Sequence, residues 1–346
     1  MPLSEPLLPR ISVILSTFDR PDSLRRVLEG YDRSTYRDFE VVVADDGSRE
    51  ETGQMVDALA RDVSYPLNRV WHPHEGFRLA AVRNLAVRSA RGSILVFSDG
   101  DCIPFPDALA VHAAACRKGR AQTGERCLLD PEETDAILSG QLAAPVLEEA
   151  ARAREAGRLR RLRWKNRLYA WTRTKARPKL LTANAAVDRA DFEAVNGFDE
   201  RFVGWGYEDE DLARRLRRVG VDVLDATLES LVLHLFHPVH TSHRPNARQS
   251  ANYRYFRTGC FLTRPLHGLH ARGVEDLAVE IVGGGVAPSL RAELPTRSDP
   301  EVTIVCGGRR RKRFPGLELA WPHSDPPKDR EAVFEFLRRS LGAPSL

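Results

Sequence analysis

The sequence is poor in cysteine and has little net charge, and each shortage excludes a class of protein. Its five cysteines are an odd number without a Cys-x-x-Cys spacing, which argues against a disulfide framework or a zinc knuckle and favours a reducing, cytosolic setting. The net charge of +4 over 346 residues is too small to indicate binding to nucleic acid. Hydrophobic residues make up 42% of the chain and charged residues 29%, which is typical of a globular protein with a sizeable core.

Long hydrophobic runs, internal repeats and low-complexity segments are also missing. No apolar stretch approaches the ~18–20 residues that are needed to cross a bilayer. The opening residues, MPLSEPLLPR, are too short and too rich in proline for a signal peptide. We therefore expect a cytoplasmic protein, which would reach a lipid-linked substrate only as a peripheral protein at the inner face of the membrane.

The first hundred residues alternate segments typical of strands with segments typical of helices. The expected strands are Ile11–Leu15, Phe39–Ala44, Arg69–Trp71 and Ser93–Phe97. The continuous apolar runs among them are typical of strands buried on both faces. Helices are expected between the strands, the first beginning at Pro21 and ending at Gly30. The alternation predicts an α/β fold with a doubly wound, parallel-rich sheet and helices on both faces, whose ligands bind at the carboxyl ends of the strands.

Composition divides the chain into four predicted parts. They are 8–120, the first half of the sheet domain; 121–180, a basic helical insert; 181–265, the second half of the sheet domain; and 271–346, a small α/β appendage. In the third part, Asp209–Val219 predicts a helix that ends at Gly220. In the last part, glycine and proline become more frequent, and Arg309–Arg313 is a basic run whose role the sequence does not reveal.

The segment Asp99-Gly100-Asp101 follows the fourth apolar strand. Carboxylates and diphosphate oxygens are both hard ligands, so Mn²⁺ or Mg²⁺ is the natural bridge between them. One alternative is an ordinary turn after a strand, where Asp and Gly are common. Another is a haloacid-dehalogenase-like phosphatase with Asp99 as the nucleophile, although in that class the strand comes first and the residues after Asp101 differ.

The segment Gly204–Asp211 combines a Gly-Trp-Gly turn with the acidic start of a helix. Acidic residues in a first helical turn complement the helix dipole, which alone would explain Glu208 and Asp209. The glycines around Trp205 are not explained in that way. They suggest a tight turn that presents an aromatic face to something flat, such as a sugar ring. We predict that Trp205 contacts a sugar or acceptor, and that Asn184 does so as well.

Histidines cluster after the strand predicted over Leu228–Leu235. Either His234 or His237 could complete a metal shell left open by two aspartates. The alternative is one core and one exposed histidine, because residues three apart on a strand point to opposite faces. The remaining histidines of interest, His72, His74, His240 and His243, are expected to be ordinary loop residues.

Together these segments resemble the inverting family-2 glycosyltransferases, with the second half similar to the galactosyltransferase and chondroitin-polymerase-like branch. The resemblance covers roughly residues 10–260. The matching segments are Ser12–Phe18, Asp45–Ser48, Arg83-Asn84, Asp99–Asp101, Asn196–Asp199 and Trp205–Asp209. It implies a GT-A fold, a UDP-sugar or other nucleotide sugar as donor, and a glycan or lipid-linked acceptor. Tyr207 departs from the glycine that is commoner at its place in the family.

The resemblance also implies a role for each matching residue. Ser16 and Asp46 would line the nucleoside pocket, and Arg83 would face the ribose or the diphosphate. Asp99 would serve the donor and the metal, and Asp101 would bind the metal most directly, with His234 or His237. Asp209 would be the catalytic base, and Glu208 would hold donor or acceptor hydroxyls. A non-catalytic relative that binds nucleotide sugars stays an alternative, although it would have no need of both Asp101 and Asp209.

The stretch from Arg152 to Lys179 is unusually basic. Leucines and two tryptophans, Trp164 and Trp171, are interleaved with its arginines and lysines. Such runs are usually solvated helix surfaces. The aromatic residues also suit the boundary between water and anionic lipid, so a peripheral membrane contact is predicted here. Capture of an acidic acceptor by the same arginines is the competing interpretation.

Overall fold

The computed structural model describes residues 10–172, 178–238, 250–258, 262–283, 285–295, 300–306, 317–323 and 325–341. Strands and helices alternate through the first hundred residues, as predicted. The strands are β1 (Ile11–Thr17), β2 (Phe39–Asp45), β3 (Leu67–Trp71) and β4 (Ile94–Asp99). The helices between them are α1 (Pro21–Asp32), α2 (Glu50–Leu59) and α3 (Leu79–Ser89). Helix α1 continues past Gly30, where the sequence predicted its end.

The middle of the chain holds three short strands that the sequence did not predict, together with the longest helix. Its elements are β5 (Cys102–Pro104), α4 (Ala108–Ala115), β6 (Arg120–Thr123), β7 (Glu125–Leu128), α5 (Pro131–Leu138) and α6 (Ala144–Trp171). The following elements are β8 (Asn184–Asp188), α7 (Arg189–Ala194), α8 (Glu208–Arg218), β9 (Asp222–Asp225), β10 (Leu231–His234) and α9 (Ala251–Thr258). None of the described helices combines the length and the hydrophobicity that a bilayer crossing requires.

A seven-stranded sheet with the order β3-β2-β1-β4-β8-β6-β9 forms the centre of the domain. The first four strands of this order are parallel, so the predicted parallel sheet is confirmed for them. Strand β8 is antiparallel to both β4 and β6, and β9 is parallel to β6. The sheet is therefore mixed at one side, and the carboxyl ends of β1, β2 and β4 lie together at one edge.

A second sheet, with the order β5-β10-β7, brings distant parts of the chain to the end of β4. Strand β10 is antiparallel to β5, and its register sets His234 opposite Cys102. Strand β7 runs parallel to β10 on the other side. The sequence predicted a helical insert over 121–180. In the structure, β6 lies in the large sheet and β7 in the second sheet, so the helical part of this range consists of α5 and α6.

Hydrophobic clusters cover both faces of the large sheet. On β1, Ile11, Val13 and Leu15 pack with α1 and α2, whereas Ile14 packs with α3, α7 and α8. Alternate residues of a strand point to opposite faces, so a strand that is covered on both sides needs apolar residues throughout. Helices on both faces confirm the predicted fold class.

Residues from Leu262 onwards build a third cluster of their own. Its elements are β11 (Val279–Gly283), α10 (Pro288–Glu293), β12 (Val302–Cys306), β13 (Leu317–Ala320) and α11 (Arg330–Leu341). The three strands form a parallel sheet in the order β11-β12-β13. These elements lie within the range 271–346 that was predicted as an appendage, while the basic run Arg309–Arg313 lies outside the described residues.

Candidate active site

The carboxyl edge of the large sheet gathers polar residues from three strands. Ser16 on β1 is in register with Asp99 on β4, and its hydroxyl donates a hydrogen bond of 2.8 Å to Asp99 Oδ1. The backbone N–H of Gly100 donates to the carbonyl of Ser16 over 2.7 Å. A Cβ at Gly100 would lie 3.0 Å from that carbonyl oxygen, so the glycine permits the turn to fold back against β1. The turn thereby fixes Asp99 and Asp101 at the sheet edge.

Asp46, which follows β2, is buried and surrounded by residues that the sequence did not single out. Its Oδ1 lies 2.7 Å from Nε2 of His72, and its Oδ2 accepts a hydrogen bond of 2.9 Å from the backbone N–H of Arg78. The ring of His74 stacks on Phe18 with 4.2 Å between the ring centroids. The two histidines expected to be ordinary loop residues thus line this edge beside Asp46.

Asp101 faces both histidines that were predicted as metal ligands. Its Oδ2 lies 3.2 Å from Nε2 of His237, and its Oδ1 lies 3.8 Å from Nε2 of His234. Arg20 approaches the same carboxylate at 3.3 Å. The two histidines do not point to opposite faces of one strand, because β10 ends at His234 and His237 follows it. His240 and His243 lie outside the described residues.

The electrostatics of this group differ between its two histidines, because the hydrogen bond to Asp101 raises the pKa of His237 and favours its charged form, whereas His234 is shifted the other way. Burial tends to raise the pKa of Asp101, but its hydrogen bond to His237 and the neighbouring cationic groups hold that pKa below its ordinary value. Burial lowers the pKa of His234 and so favours the neutral, ligating form of its imidazole. One ligand atom each from Asp101, Cys102 and His234 lie within 4.8 Å of one another. A carboxylate with imidazoles fits a divalent ion such as Mn²⁺.

Arg83 on α3 connects the carboxyl edge of the large sheet to the start of α8. Its buried guanidinium donates from Nη2 to Asp99 Oδ1 over 2.8 Å and from Nη1 to Thr182 Oγ1 over 2.8 Å. Nη1 also lies 3.5 Å from Asp209 Oδ1. The hydroxyl of Thr182 donates to the same Asp209 oxygen over 2.5 Å. One buried cation therefore holds the two aspartates that the sequence assigned to opposite sides of the reaction.

Glu208 and Asp209 occupy the first turn of α8. Burial and the neighbouring Asp209 raise the pKa of Glu208 to about 8. Burial also raises the pKa of Asp209, although Arg83 and the hydrogen bond from Thr182 oppose this effect. Oε2 of Glu208 is buried and has no hydrogen-bond partner among the described residues. Both carboxyl groups therefore bind a proton more readily than in water, because their side chains are buried.

The Gly-Trp-Gly turn is held by α9. Gly204 and Gly206 have φ values of 81° and 94°, and Tyr207 also has a positive φ of 76°. The left-handed region favours glycine, which gives a physical reason for the glycine that the family commonly has in place of Tyr207. The side-chain amide of Asn252 donates to the carbonyls of Gly204 and Gly206. This turn leaves about half of the Trp205 surface exposed beside the acidic residues of α8.

Asn184 is not brought together with Trp205. Its side chain is buried at the start of β8, where Oδ1 lies 2.9 Å from Nε2 of His112. Its Nδ2 donates to the carbonyls of Ser230 and Glu125. These contacts join β8 to the small sheet, and the predicted sugar or acceptor contact of Asn184 stays a prediction. The amide has no polar capacity left over for a ligand beyond these partners.

Two family models match the chain. Residues 12–128 match glycosyl transferase family 2, and residues 163–241 match the model described as the N-terminal domain of galactosyltransferase. A mannosyltransferase from Pyrobaculum calidifontis, solved in complex with GDP-Man and Mn²⁺, matches with a TM-score of 0.46 and 21% identity. That alignment covers 68% of this chain and 59% of the other.

The curated relatives include named glycosyltransferases. Validoxylamine A glucosyltransferase of Streptomyces hygroscopicus subsp. jinggangensis is 31% identical over 237 residues, which cover 64% of this chain and 54% of that protein. Chondroitin synthase of Escherichia coli is 26% identical over 242 residues, which cover 63% of this chain and 34% of the synthase. The chain spans about half the length of the validoxylamine A glucosyltransferases that it matches. The resemblance to the family-2 glycosyltransferases is therefore confirmed over residues 12–128, and residues 163–241 match the galactosyltransferase model that the second half of the chain was predicted to resemble.

Proposed function

We propose that this protein transfers a sugar from a nucleotide sugar to a hydroxyl group of a glycan or a lipid-linked acceptor, with inversion at the anomeric carbon. The observation that carries the proposal is the position of Arg83. Its guanidinium contacts Asp99 at the strand edge and approaches Asp209 at the start of α8. Donor and acceptor residues are thus fixed relative to each other, as a reaction between two bound molecules requires.

Asp209 is the proposed general base. As the acceptor oxygen attacks the anomeric carbon, Asp209 takes the proton from that hydroxyl, and the bond to the nucleoside diphosphate breaks on the opposite side. The raised pKa of Asp209, caused by its burial, favours uptake of this proton. Thr182 and Arg83 then stabilise the orientation of the carboxylate, and Trp205 offers an aromatic face for the sugar ring.

Asp101, with His234 and His237, would hold Mn²⁺ or Mg²⁺ at the donor diphosphate. A divalent ion held there would neutralise the negative charge that develops on the departing nucleoside diphosphate. Ser16 and Asp46 belong to the proposed nucleoside side, where His74 stacked on Phe18 adds a flat aromatic surface. This arrangement separates the residues that hold the leaving group from the residue that activates the acceptor.

The donor that we propose is a UDP-linked hexose. A hexose is consistent with the printed name of the most fully covered relatives, which are glucosyltransferases. UDP, the glycan or lipid-linked nature of the acceptor, and a cytoplasmic location are parts of the same proposal. The phosphatase alternative finds less support, since Asp99 Oδ1 already accepts hydrogen bonds from Ser16 and Arg83.

The test is calorimetric titration of UDP into the protein with and without Mn²⁺. We expect Mn²⁺ to increase the affinity of the native protein for UDP, and Asp101→Ala to remove this gain. The reason is that a diphosphate and carboxylates repel each other without a cation between them. The exposed carboxylate of Asp107, on the loop after β5, provides a matched control, and Asp107→Ala should keep the gain.

The histidines are tested in the same titration. Replacing His237 or His234 by alanine should raise the Mn²⁺ concentration that gives half of the gain in UDP affinity. The increase should be at least ~10-fold, because even the loss of a residue that only supports a metal ligand costs that much affinity. UDP affinity that is independent of Mn²⁺ in the native protein would overturn the metal-dependent reaction. Mn²⁺-dependent binding without transfer to any acceptor would instead favour the non-catalytic alternative.

A further inference from the structure

The outer face of α6 exposes two tryptophans on one stripe. Trp164, Leu168 and Trp171 follow a spacing of four and three residues, so they lie on the same side of the helix. Trp164 is 67% exposed and Trp171 is 81% exposed. Aromatic side chains of this size bury a large apolar area when they find a partner, so two exposed indoles on one stripe indicate a contact surface.

The charges of α6 are divided between its two faces. From Gly157 to Trp171 the helix has six basic residues and no acidic residue. The basic residues on the inner side are paired, Arg158 with Glu155 and Arg163 with Glu229. No carboxylate partner is found, among the described residues, for the four on the outer side. These four are Arg160, Arg161, Lys165 and Arg167.

Together with the stripe, these four residues form the basic–aromatic face of α6. Its cations are available to an anionic partner, since Arg161 contacts only a carbonyl of its own helix and Lys165 lies over the ring of Tyr169. The helix presents this face over about 17 Å, the length of the twelve helical residues from Arg160 to Trp171. The surface is therefore long, basic and aromatic.

We propose that the basic–aromatic face of α6 docks on an anionic lipid bilayer. Tryptophan prefers the headgroup level of a membrane, where its ring is desolvated and its N–H stays hydrogen-bonded. Arginine and lysine beside it are attracted by acidic headgroups. An acidic glycan would bind the cations and could stack on an indole, but it would leave the exposed aliphatic side chain of Leu168 between the two tryptophans without an apolar partner, which is why the lipid surface fits the whole face better.

The position of α6 gives this docking a structural consequence. The helix packs on β7 and β10, and β10 ends at His234 beside Asp101. A bilayer bound at α6 would therefore be linked through two strands to the edge that holds the nucleotide. The proposal itself does not depend on glycosyl transfer, because it rests only on the exposed side chains of the helix.

The experiment is sedimentation of the full chain with vesicles of phosphatidylglycerol and phosphatidylcholine, compared with vesicles of phosphatidylcholine alone. We expect binding to the anionic vesicles at low salt and its loss at high salt. Arg160→Glu/Arg167→Glu should weaken this binding by at least about 25-fold, since each basic residue contributes about fivefold near an anionic surface and the two new carboxylates are repelled by it. Arg117→Glu/Lys118→Glu, on an exposed turn, changes the net charge equally and should leave binding within a fewfold of the native protein.

A second measurement tests the tryptophans. Lipids brominated near the headgroup should quench part of the tryptophan fluorescence of the native protein, and Trp164→Ala/Trp171→Ala should remove that quenching. Equal loss of binding in both charge variants would overturn the proposal, because it would reduce the effect to net charge. Absence of vesicle binding at low salt, or binding to heparin but not to anionic vesicles, would also overturn it.

Discussion

At the scale of single residues, the proposed role of Asp209 as a base can be distinguished from the effect of the other acidic residues in the first turn of α8. We expect Asp209→Asn to keep the affinity for UDP and to lower turnover by ~10²–10⁴-fold, the usual contribution of a general base. The amide can still accept the hydrogen bond from Thr182, so the turn should keep its geometry. Steady-state transfer to an acceptor is the measurement.

Glu210 in the same helical turn is the control for that experiment. Its carboxylate pairs with Lys179 and has the same relation to the helix dipole. Glu210→Gln should leave turnover within a fewfold of the native enzyme. If both variants lost the same small factor, the acidic residues would act only through the helix dipole.

Glu208 makes stability depend on pH. Its pKa is about 8 in the folded protein because of burial, against an ordinary value of 4.5. Its contribution to stability is therefore fully present below pH 4.5 and is lost as the pH rises through 8. Glu208→Gln stays neutral, so its free energy of unfolding should rise relative to that of the native protein between pH 5 and 8, by up to about 1.4 kcal/mol per pH unit, and its melting temperature should rise with it. If the difference in Tm between Glu208→Gln and the native protein did not change with pH, Glu208 would not be a buried carboxyl that is protonated near neutral pH.

The residues that the sequence identified are those that form motifs at strand ends. Asp99 and Asp101 could be placed together because consecutive residues after a buried strand share one sheet edge. His72 and Thr182 could not be found, since each is a single polar residue whose importance lies in a contact with a distant aspartate. The buried contacts of Asn184 could not be found for the same reason, because its partners come from distant parts of the chain.

At the scale of elements, the contact between α1 and β5 explains a glycine inside a helix. A Cβ at Gly30 would lie 2.7 Å from Ile103 Cγ2 and 2.9 Å from Pro104 Cδ. Gly30 therefore allows α1 to approach the strand that follows Asp101, and it does not end the helix. We expect Gly30→Ala to lower the free energy of unfolding by about 1–3 kcal/mol, the usual cost of overpacking. Urea unfolding measures it.

Gly157 in α6 is the matched control for this substitution. It is also helical, but no atom lies within 4 Å of the Cβ position, so only the backbone effect should operate. Gly157→Ala should raise the stability by about 0.5–1 kcal/mol. A stabilising effect at both positions would show that α1 and β5 are not in close contact.

Long strands could be predicted from the sequence and short ones could not. Each of β1, β2 and β4 is rich in apolar residues and is buried on both faces, and this enrichment is visible in the sequence alone. In contrast, β5 and β7 have three and four residues and are strands only because β10 pairs with them. The antiparallel direction of β8 likewise depends on tertiary pairing and leaves no local pattern.

At the scale of the whole molecule, the turn after α7 joins the sheet domain to the C-terminal unit. Asn196 has a φ of 59°, and its side-chain amide donates to the carbonyls of Pro265 and His270. A Cβ at Gly268 would lie 2.1 Å from the carbonyl oxygen of Asn196, so the two segments are in close backbone contact. Beyond this junction, the C-terminal unit has its own core, and an ion pair in its interior offers a way to perturb it alone.

That ion pair joins Arg272 to Glu301 with two hydrogen bonds of 2.9 and 2.7 Å, and both side chains are more than nine-tenths buried. Removing one partner leaves a buried charge, so Arg272→Ala should destabilise the C-terminal unit by about 3–5 kcal/mol. Arg272→Met/Glu301→Leu removes both charges and should recover most of this loss. We expect limited proteolysis to cleave the C-terminal unit of Arg272→Ala before the sheet domain. Mn²⁺-dependent UDP binding should persist, because Asp99 and Asp101 lie in the sheet domain, whose core is separate. A parallel loss of UDP affinity would instead make the C-terminal unit part of the nucleotide site.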